Sequence, residues 1–301
     1  MSFEIISVVG PTASGKSDLA VAIARELGQT EIINTDSMQL YRGMDIGTAK
    51  LSGSEMQGVT HHLISCIDPT EELSVVEYRD LFDAAVAKIQ SANKQVLTVG
   101  GSTLYLSAAL DEMDFAPTDL DLREELQSEK ERVGSLALWE RLRELDPAAA
   151  EKIPSSNARR VIRAIEVITL TGREYSASLP DPVYRRKSLQ IGISVPRQLL
   201  LERIELRVHR MWELGLVDEV SRLQLDYPLL SRTARVAIGY QQAAQQLAGE
   251  LSQEEAIAQT IQLTARYAKK QMTWLRRDSR IRWLDFSPEL PKAALDLIRL
   301  G

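Results

Sequence analysis

The chain has 301 residues, 44% hydrophobic and 26% charged, with a formal net charge of -6. That is enough apolar material for one large α/β domain and a smaller piece, while a single cysteine excludes an internal disulfide or a multi-cysteine zinc site and no run is apolar enough to span a membrane. The acidic balance alone argues against a nucleic-acid partner, but charge is segregated: nine carboxylates face two basic residues between Asp111 and Glu131, and seven basic residues face Asp278 alone between Arg266 and Arg282.

The chain opens directly into the apolar run Ile5 to Val9, without a basic, apolar leader, so a reducing cytoplasm is the expected location and Cys66 is expected to be a small buried hydrophobe. Gly10-Pro11-Thr12-Ala13-Ser14-Gly15-Lys16-Ser17 follows and matches G-x-x-x-x-G-K-[ST] at every fixed position. After it Leu19, Ala20, Ile23 and Leu27 recur at helical spacing up to Gly28. Strand, glycine loop and helix make an anion cradle of backbone N–H groups and a helix N-terminus. Lys16 adds a full charge, and the Ser17 hydroxyl can ligate magnesium.

Glu31 to Asp36 reads as a short strand that delivers Asp36 at its carboxyl end, where an open parallel sheet binds ligands. Asp36 is therefore a candidate general base, with a helix cap as the alternative role. Ser37 to Lys50 is too irregular for a core element and reads as a working loop. Leu63 to Ile67 is expected to be a strand, and the adjacent His61 and His62, facing opposite ways, structural rather than metal-binding. Ser74 to Gln90 has helical periodicity, and Gln95 to Val99 forms the next strand, running into Gly100-Gly101-Ser102. That strand end lacks the carboxylate a hydrolytic P-loop enzyme uses to organise magnesium and water, which favours a transferase whose second substrate approaches over the glycines.

From Asp114 to Arg186 strand-like runs vanish. Helices are expected over Leu120–Val133, Ser135–Leu145, Pro147–Ile153 and Ala158–Leu170, closed by Thr171-Gly172. The expected organisation is a P-loop core in 1–113, an all-helical insertion in 114–186, and completion of the core in 187–301. Arg159, Arg160 and Arg163 lie on one side of the last insertion helix, as a solvated face or as phosphate contacts. The sheet resumes at Leu189 to Val195, and the next helix carries Arg203, Arg207 and Arg210 on one face, suited either to a salt-bridge ladder with Glu202 and Glu205 or to clamping a leaving diphosphate. A final long helix opens with the capping box of Ser252 and Glu255 and shows Arg266, Lys269, Lys270, Thr273, Arg276 and Arg277 on one face among Tyr267 and Trp274, a pattern suited to RNA. Arg280 and Arg282 extend that patch into a terminal strand, Arg280 to Phe286.

Taken in order, these motifs resemble the bacterial tRNA dimethylallyltransferase family over nearly the whole chain. The likeness rests on the glycine loop, Asp36 to Tyr41, Gly43 to Lys50, Gly100-Gly101-Ser102 before Leu104-Tyr105-Leu106, Arg163 to Glu166, Gly215 to Val220, Gly239-Tyr240, and Lys270 to Arg276. It implies a P-loop NTPase-like parallel sheet flanked by helices, and transfer of a dimethylallyl group from dimethylallyl diphosphate to N6 of the tRNA adenosine beside the anticodon. The loop Gly10 to Ser17 would hold the diphosphate, with Ser17 on Mg2+. Asp36 would take the N6 proton, and Lys16 and Arg207 would stabilise the leaving group. Positions matching tRNA contacts are Asp36-Ser37-Met38-Gln39, Ser102, Arg123, Arg159-Arg160-Val161-Ile162-Arg163, Arg235-Val236-Ala237-Ile238-Gly239-Tyr240, and Lys269-Lys270-Gln271-Met272-Thr273-Trp274-Leu275-Arg276. Ser102 stands where the family usually has threonine and keeps the hydroxyl. The resemblance further implies tRNA and the prenyl diphosphate as partners, no membrane, and a monomer.

The chemistry of the residues agrees. A purine exocyclic amine is a poor nucleophile that profits from a nearby carboxylate, and allylic C–O cleavage puts charge on diphosphate. The acceptor base would have to leave its stack. A P-loop small-molecule kinase would leave the basic, aromatic helix unused. A free-adenylate prenyltransferase would not need the insertion, and a non-catalytic RNA-binding protein would not need Lys16 and Ser17.

Overall fold

The computed structural model describes residues 3–113, 115–175 and 182–300. Asp114, where the insertion is expected to begin and one of the nine carboxylates counted above, lies outside them, as do 176–181 and 301.

Six strands form one sheet: β1 (Ile5–Val9), β2 (Thr30–Asn34), β3 (His61–His62), β4 (Gln95–Gly100), β5 (Ser188–Ser194) and β6 (Arg282–Asp285), in the order β3-β2-β4-β1-β5-β6, every pairing parallel. The central strands are buried on both faces, as a parallel sheet flanked by helices requires. The helices of this part are α1 (Lys16–Leu27), α2 (Val75–Ser91) and α3 (Thr103–Leu110). Helices α4 (Leu120–Val133), α5 (Ser135–Leu145), α6 (Pro147–Lys152) and α7 (Ala158–Thr171) follow. The chain closes with α8 (Arg197–Glu213), α9 (Leu216–Asp226), α10 (Arg232–Arg235), α11 (Tyr240–Leu247), α12 (Gln253–Leu275) and α13 (Leu290–Leu300).

One face of the sheet buries Ile6, Val8, Ile32, Leu97, Ile191 and Ile193 against Leu19 and Ile23 of α1 and Leu290 and Ile298 of α13. Register aligns the carboxyl ends of the central strands, Val9 with Gly100 and Asn34 with Val99, so the loops after β1, β2 and β4 emerge side by side. Two glycines make this possible. A Cβ on Gly100 would lie 2.5 Å from the Thr35 carbonyl carbon, and one on Gly101 would lie 2.4 Å from Gln271 Nε2 and 2.9 Å from the Gly10 carbonyl oxygen. The Gly-Gly pair therefore serves the packing of strand ends on one another, whereas the sequence suggested room for a second substrate.

Two other expectations fail here for one reason. The strand expected over Leu63 to Ile67 is confined to His61–His62, because Leu63 (φ 57°) and Ser65 (φ 51°) take left-handed backbone that no ladder accommodates. Ile67 still bridges to Tyr41 and points inward, so its neighbour Cys66 turns outward and is exposed, not buried. The two histidines are structural as expected: His62 Nε2 lies 2.6 Å from Glu31 Oε2, and His61 Nδ1 lies 2.8 Å from the Val59 carbonyl.

By contact the chain forms two compact units, Met1–Glu112 with Val183–Gly301, and Met113–Pro182. The second unit packs Leu126, Leu138, Leu142, Ile153, Val161 and Ile165 into its own core, and the Trp139 indole donates to the Ile153 carbonyl at 2.7 Å. Within it Glu166 is fully buried, accepting from the Asp119 N–H, from Arg123 Nη2 at 2.9 Å and from Arg163 Nη1 at 2.9 Å. Burial would push this carboxyl up, but its two arginines outweigh that and hold it below the usual carboxylate range. Arg163 also donates to the Ala116 and Pro117 carbonyls.

Candidate active site

The glycine loop curls through two left-handed residues, Ala13 (φ 63°) and Gly15 (φ 85°), the latter capping α1. Gly10 lacks room for a side chain because a Cβ would lie 2.8 Å from Ser14 Oγ. The loop is held from two directions. From α8, Arg203 Nε donates to the Ala13 carbonyl at 2.7 Å while its guanidinium stacks on Phe286, and Arg207 Nη1 donates to Thr12 Oγ1 at 3.0 Å. From α12, Gln271 accepts from the Thr12 N–H at 2.9 Å and donates to the Gly101 carbonyl at 2.8 Å, joining the loops after β1 and β4.

Asp36 is fixed by its own neighbours. Asn34 Oδ1 accepts from the Asp36 N–H, Asn34 Nδ2 donates to the Asp36 and Leu63 carbonyls, and Tyr78 of α2 donates to the Asn34 carbonyl. Asp36 Oδ1 accepts from the Met38 N–H at 3.0 Å. One carboxylate oxygen thus caps the turn at Met38, where no helix begins. Ser37 is tied to Ser102 through its N–H at 3.0 Å and its hydroxyl at 3.1 Å.

Two spaces meet at this point. A small polar niche of about 40 Å³ lies over the loop, lined by Lys16, Ser17, Asn34 and Gly100 among others. Beside it a larger cavity of about 320 Å³ is lined by Val208, Met211, Ile238, Tyr240 and Tyr267 among others. Thr12, Asp36, Thr48 and Arg207 line both. Burial lowers the Lys16 ammonium to about 8, with Arg207 adding to the effect and Asp36 opposing it. Burial likewise lowers Arg207, again against the pull of Asp36. Two cations pressed together without a full counter-charge are arranged to receive an anion. Tyr267 is pushed up to about 12, by burial first and then by the Asp36 charge.

The remaining sequence-derived positions sort by burial. Arg266, Lys269, Lys270 and Thr273 are exposed on α12, as are Arg276 and Arg277 just past its end, and none of these cations has an ion-pair partner among the described residues. Met272 and Trp274 are half-buried, whereas Leu275 is fully buried and Gln271 is 2% exposed, so these last two face inward rather than toward a polynucleotide. Arg235 and Val236 are exposed, Ile238 is half-buried, and Ala237, Gly239 and Tyr240 are buried; Val236, Ala237, Ile238 and Tyr240 line the cavity. In the second unit Arg159 and Arg160 are exposed, Val161 and Ile162 are core, and Arg123 and Arg163 are engaged by Glu166. Arg280 does not extend the basic patch: it pairs with Asp278 at 2.7 Å and Asp111 at 2.8 Å, and stacks on Tyr184.

Met211, the bond from Arg203 to the Ala13 carbonyl and the bridging role of Gln271 do not follow from the sequence reading. One signal was present, because Thr260, Thr264, Tyr267 and Gln271 recur at helical spacing as a polar row on α12, and the first three line the cavity. Nor do the α8 arginines form a ladder with Glu202, which accepts instead from Gln198.

Fold and site together define an α/β protein with a glycine loop at the carboxyl edge of a parallel sheet, where a small polar niche adjoins a larger, more apolar cavity. The chain belongs to the IPP transferase family, whose sequence model matches residues 39–278. It is 48% identical over 299 residues to the tRNA dimethylallyltransferase of Thermobifida fusca, covering 98% of this chain and 94% of that one. It is 49% identical over 300 residues to that of Streptomyces coelicolor, covering 98% and 95%. Among solved structures it is similar to a tRNA isopentenylpyrophosphate transferase from Bacillus halodurans (TM-score 0.72, 36% identity, 99% of this chain and 95% of that chain). It is also similar to a eukaryotic dimethylallyltransferase acting on tRNA (TM-score 0.81, 25% identity, 99% and 75%).

Proposed function

We infer that this chain transfers the dimethylallyl group of dimethylallyl diphosphate to N6 of the adenosine beside the anticodon of tRNA, releasing diphosphate. One observation carries the reading: Asp36 and Arg207 stand on the shared wall of the phosphate niche and the organic pocket. A molecule with its diphosphate in the niche and its allylic carbon at that wall brings the scissile C–O bond between a base and a cation. As the C–O bond breaks, its electron pair goes to the diphosphate oxygen, held by loop N–H groups, Lys16 and Arg207. The N6 lone pair forms the new N–C bond, and the N6 proton passes to Asp36.

The niche fits Mg2+ by its donors. Ser17 offers a hard hydroxyl oxygen there, which suits an ion that keeps water and takes diphosphate oxygens, and leaves Asp36 as the base. When bound, magnesium would supply charge neutralisation on the departing diphosphate. The exposed cations of α12 would take the tRNA backbone, and Arg159 and Arg160 are the free candidates for further phosphate contacts. The described residues contain no helix long and apolar enough to cross a membrane. A tRNA substrate and a single cysteine fit action in the cytoplasm.

The test is incubation of the full chain with dimethylallyl diphosphate, magnesium and either anticodon stem-loop RNA or free AMP, followed by mass measurement. One dimethylallyl group gained on the RNA alone is expected. A gain on AMP alone would move the chain to the free-nucleotide class, and hydrolysis without transfer would overturn the assignment.

A further inference from the structure

The run Gly215 to Val220 contains a carboxylate that the chemistry above does not use. Glu219, in the first turn of α9, is 6% exposed. A buried carboxylate is costly unless it is hydrogen-bonded on all sides, and this one is. Its oxygens accept from the Asp45 N–H at 3.2 Å, the Ile46 N–H at 2.9 Å, the Gly47 N–H at 3.4 Å and the Tyr240 hydroxyl at 2.6 Å. Three successive backbone donors turned onto one anion form a nest, built here around a side chain of the same molecule.

Both things held by Glu219 reach the site. The turn 45–47 leads into Thr48, whose hydroxyl closes it on the Met44 carbonyl at 2.6 Å and whose carbonyl accepts from Arg207 Nη2 at 3.3 Å and Gln39 Nε2 at 3.1 Å. Tyr240 forms part of the cavity wall, and its ring fills the place of a Gly47 side chain, since a Cβ there would lie 2.3 Å from the ring. Lys50 donates to Asp45 Oδ1 at 2.7 Å, to Ser65 and to the Tyr41 carbonyl, tying the far end of the same loop.

We propose that Glu219 is a positioning residue for prenyl transfer: by gripping the 45–47 turn and the Tyr240 hydroxyl together, it sets Thr48 and through it the Arg207 guanidinium against the leaving diphosphate. This rests on the function inferred above, and the same assay separates the two, because a wild-type chain that transfers nothing fails the function whereas a Glu219 variant that transfers normally fails only this inference. A side chain that acts through Arg207 must be non-additive with it.

The experiment is a double-mutant cycle on folded full-length chains, using Glu219→Ala and Glu219→Gln in the wild-type and Arg207→Ala backgrounds, with single-turnover transfer to stem-loop RNA as the readout. In the wild-type background Glu219→Ala is expected to lower the transfer rate about 30-fold, with RNA affinity within about twofold, and to add less than about threefold to Arg207→Ala. Glu219→Gln keeps one acceptor oxygen but turns an N–H₂ group toward the remaining donors, so an intermediate loss of about fivefold is expected, again suppressed without Arg207. If Glu219→Ala does not fold, the Gln cycle decides alone. Equal losses in both backgrounds, or a folded variant with an unchanged rate, would overturn the proposal.

Discussion

Helices α8 and α12 carry cations at the same helical spacing and use them in opposite ways. On α8, Arg203 and Arg207 turn inward and bind the glycine loop at Ala13 and Thr12. On α12 the cations turn outward into solvent, and it is the uncharged row from Thr260 to Gln271 that faces the site. A guanidinium removed from water acts strongly on one charge at short range, as a departing diphosphate requires. An array of hydrated cations acts weakly and collectively, as docking of a polyanion requires, and salt screens it. We therefore propose the inward helix for turnover and the outward face for binding.

Arg207→Ala tests the inward assignment most severely. Transfer is expected to fall by about 100- to 1,000-fold, the scale of losing one donor to a developing anion, while tRNA affinity stays within about twofold. A loss confined to tRNA affinity would reverse the comparison. Asp36→Ala comes next, with an expected fall in transfer of about 100-fold or more and near-normal tRNA binding; unchanged turnover would remove Asp36 from the mechanism. For the outward face, neutralising Lys269, Lys270 and Arg276 together should weaken stem-loop binding about 10-fold or more and flatten its salt slope by about 2, read from titrations over a range of salt. An unaltered slope would make that face a solvated surface.

Lys16 gives a smaller, pH-dependent signal. Its folded value of about 8 lies below the 10.5 of the free side chain, so between these values the unfolded chain holds more protons. Folding stability should therefore rise with pH across that window by this contribution. Diphosphate restores the charged form, so pyrophosphate binding near pH 8.5 should take up protons and weaken as pH rises, an effect readable by calorimetry in two buffers and absent in Lys16→Met. The smallest expected effect is that of Arg280→Gln on RNA binding, with an unchanged salt slope. Its cost falls on stability, about 3 kcal/mol for stranding Asp111 and Asp278, measured by denaturant melting.

Features written by near neighbours were legible beforehand. The helices over Leu120–Val133 and Ser135–Leu145 begin and end as read, and the capping box at Ser252 closes through bonds three residues apart. Where a second segment intervenes, the reading failed. Cys66 faces outward because the chain around it turns through left-handed residues, and Arg123, Arg163 and Arg280 look like free cations in sequence but are engaged by Glu166, Asp111 and Asp278.

By itself, the sequence determined the anion cradle, the strand that carries Asp36 to its rim, the helix periods and the family, because each depends on residue types within a few positions of one another or on motifs kept in order. The tertiary structure decided which cations face the cradle and what holds it open. Thr12 and Gln271 are 259 residues apart, and Ile46 and Glu219 are 173 apart. A side chain's partner at such separation is fixed by how the sheet and helices pack, and no local pattern encodes it.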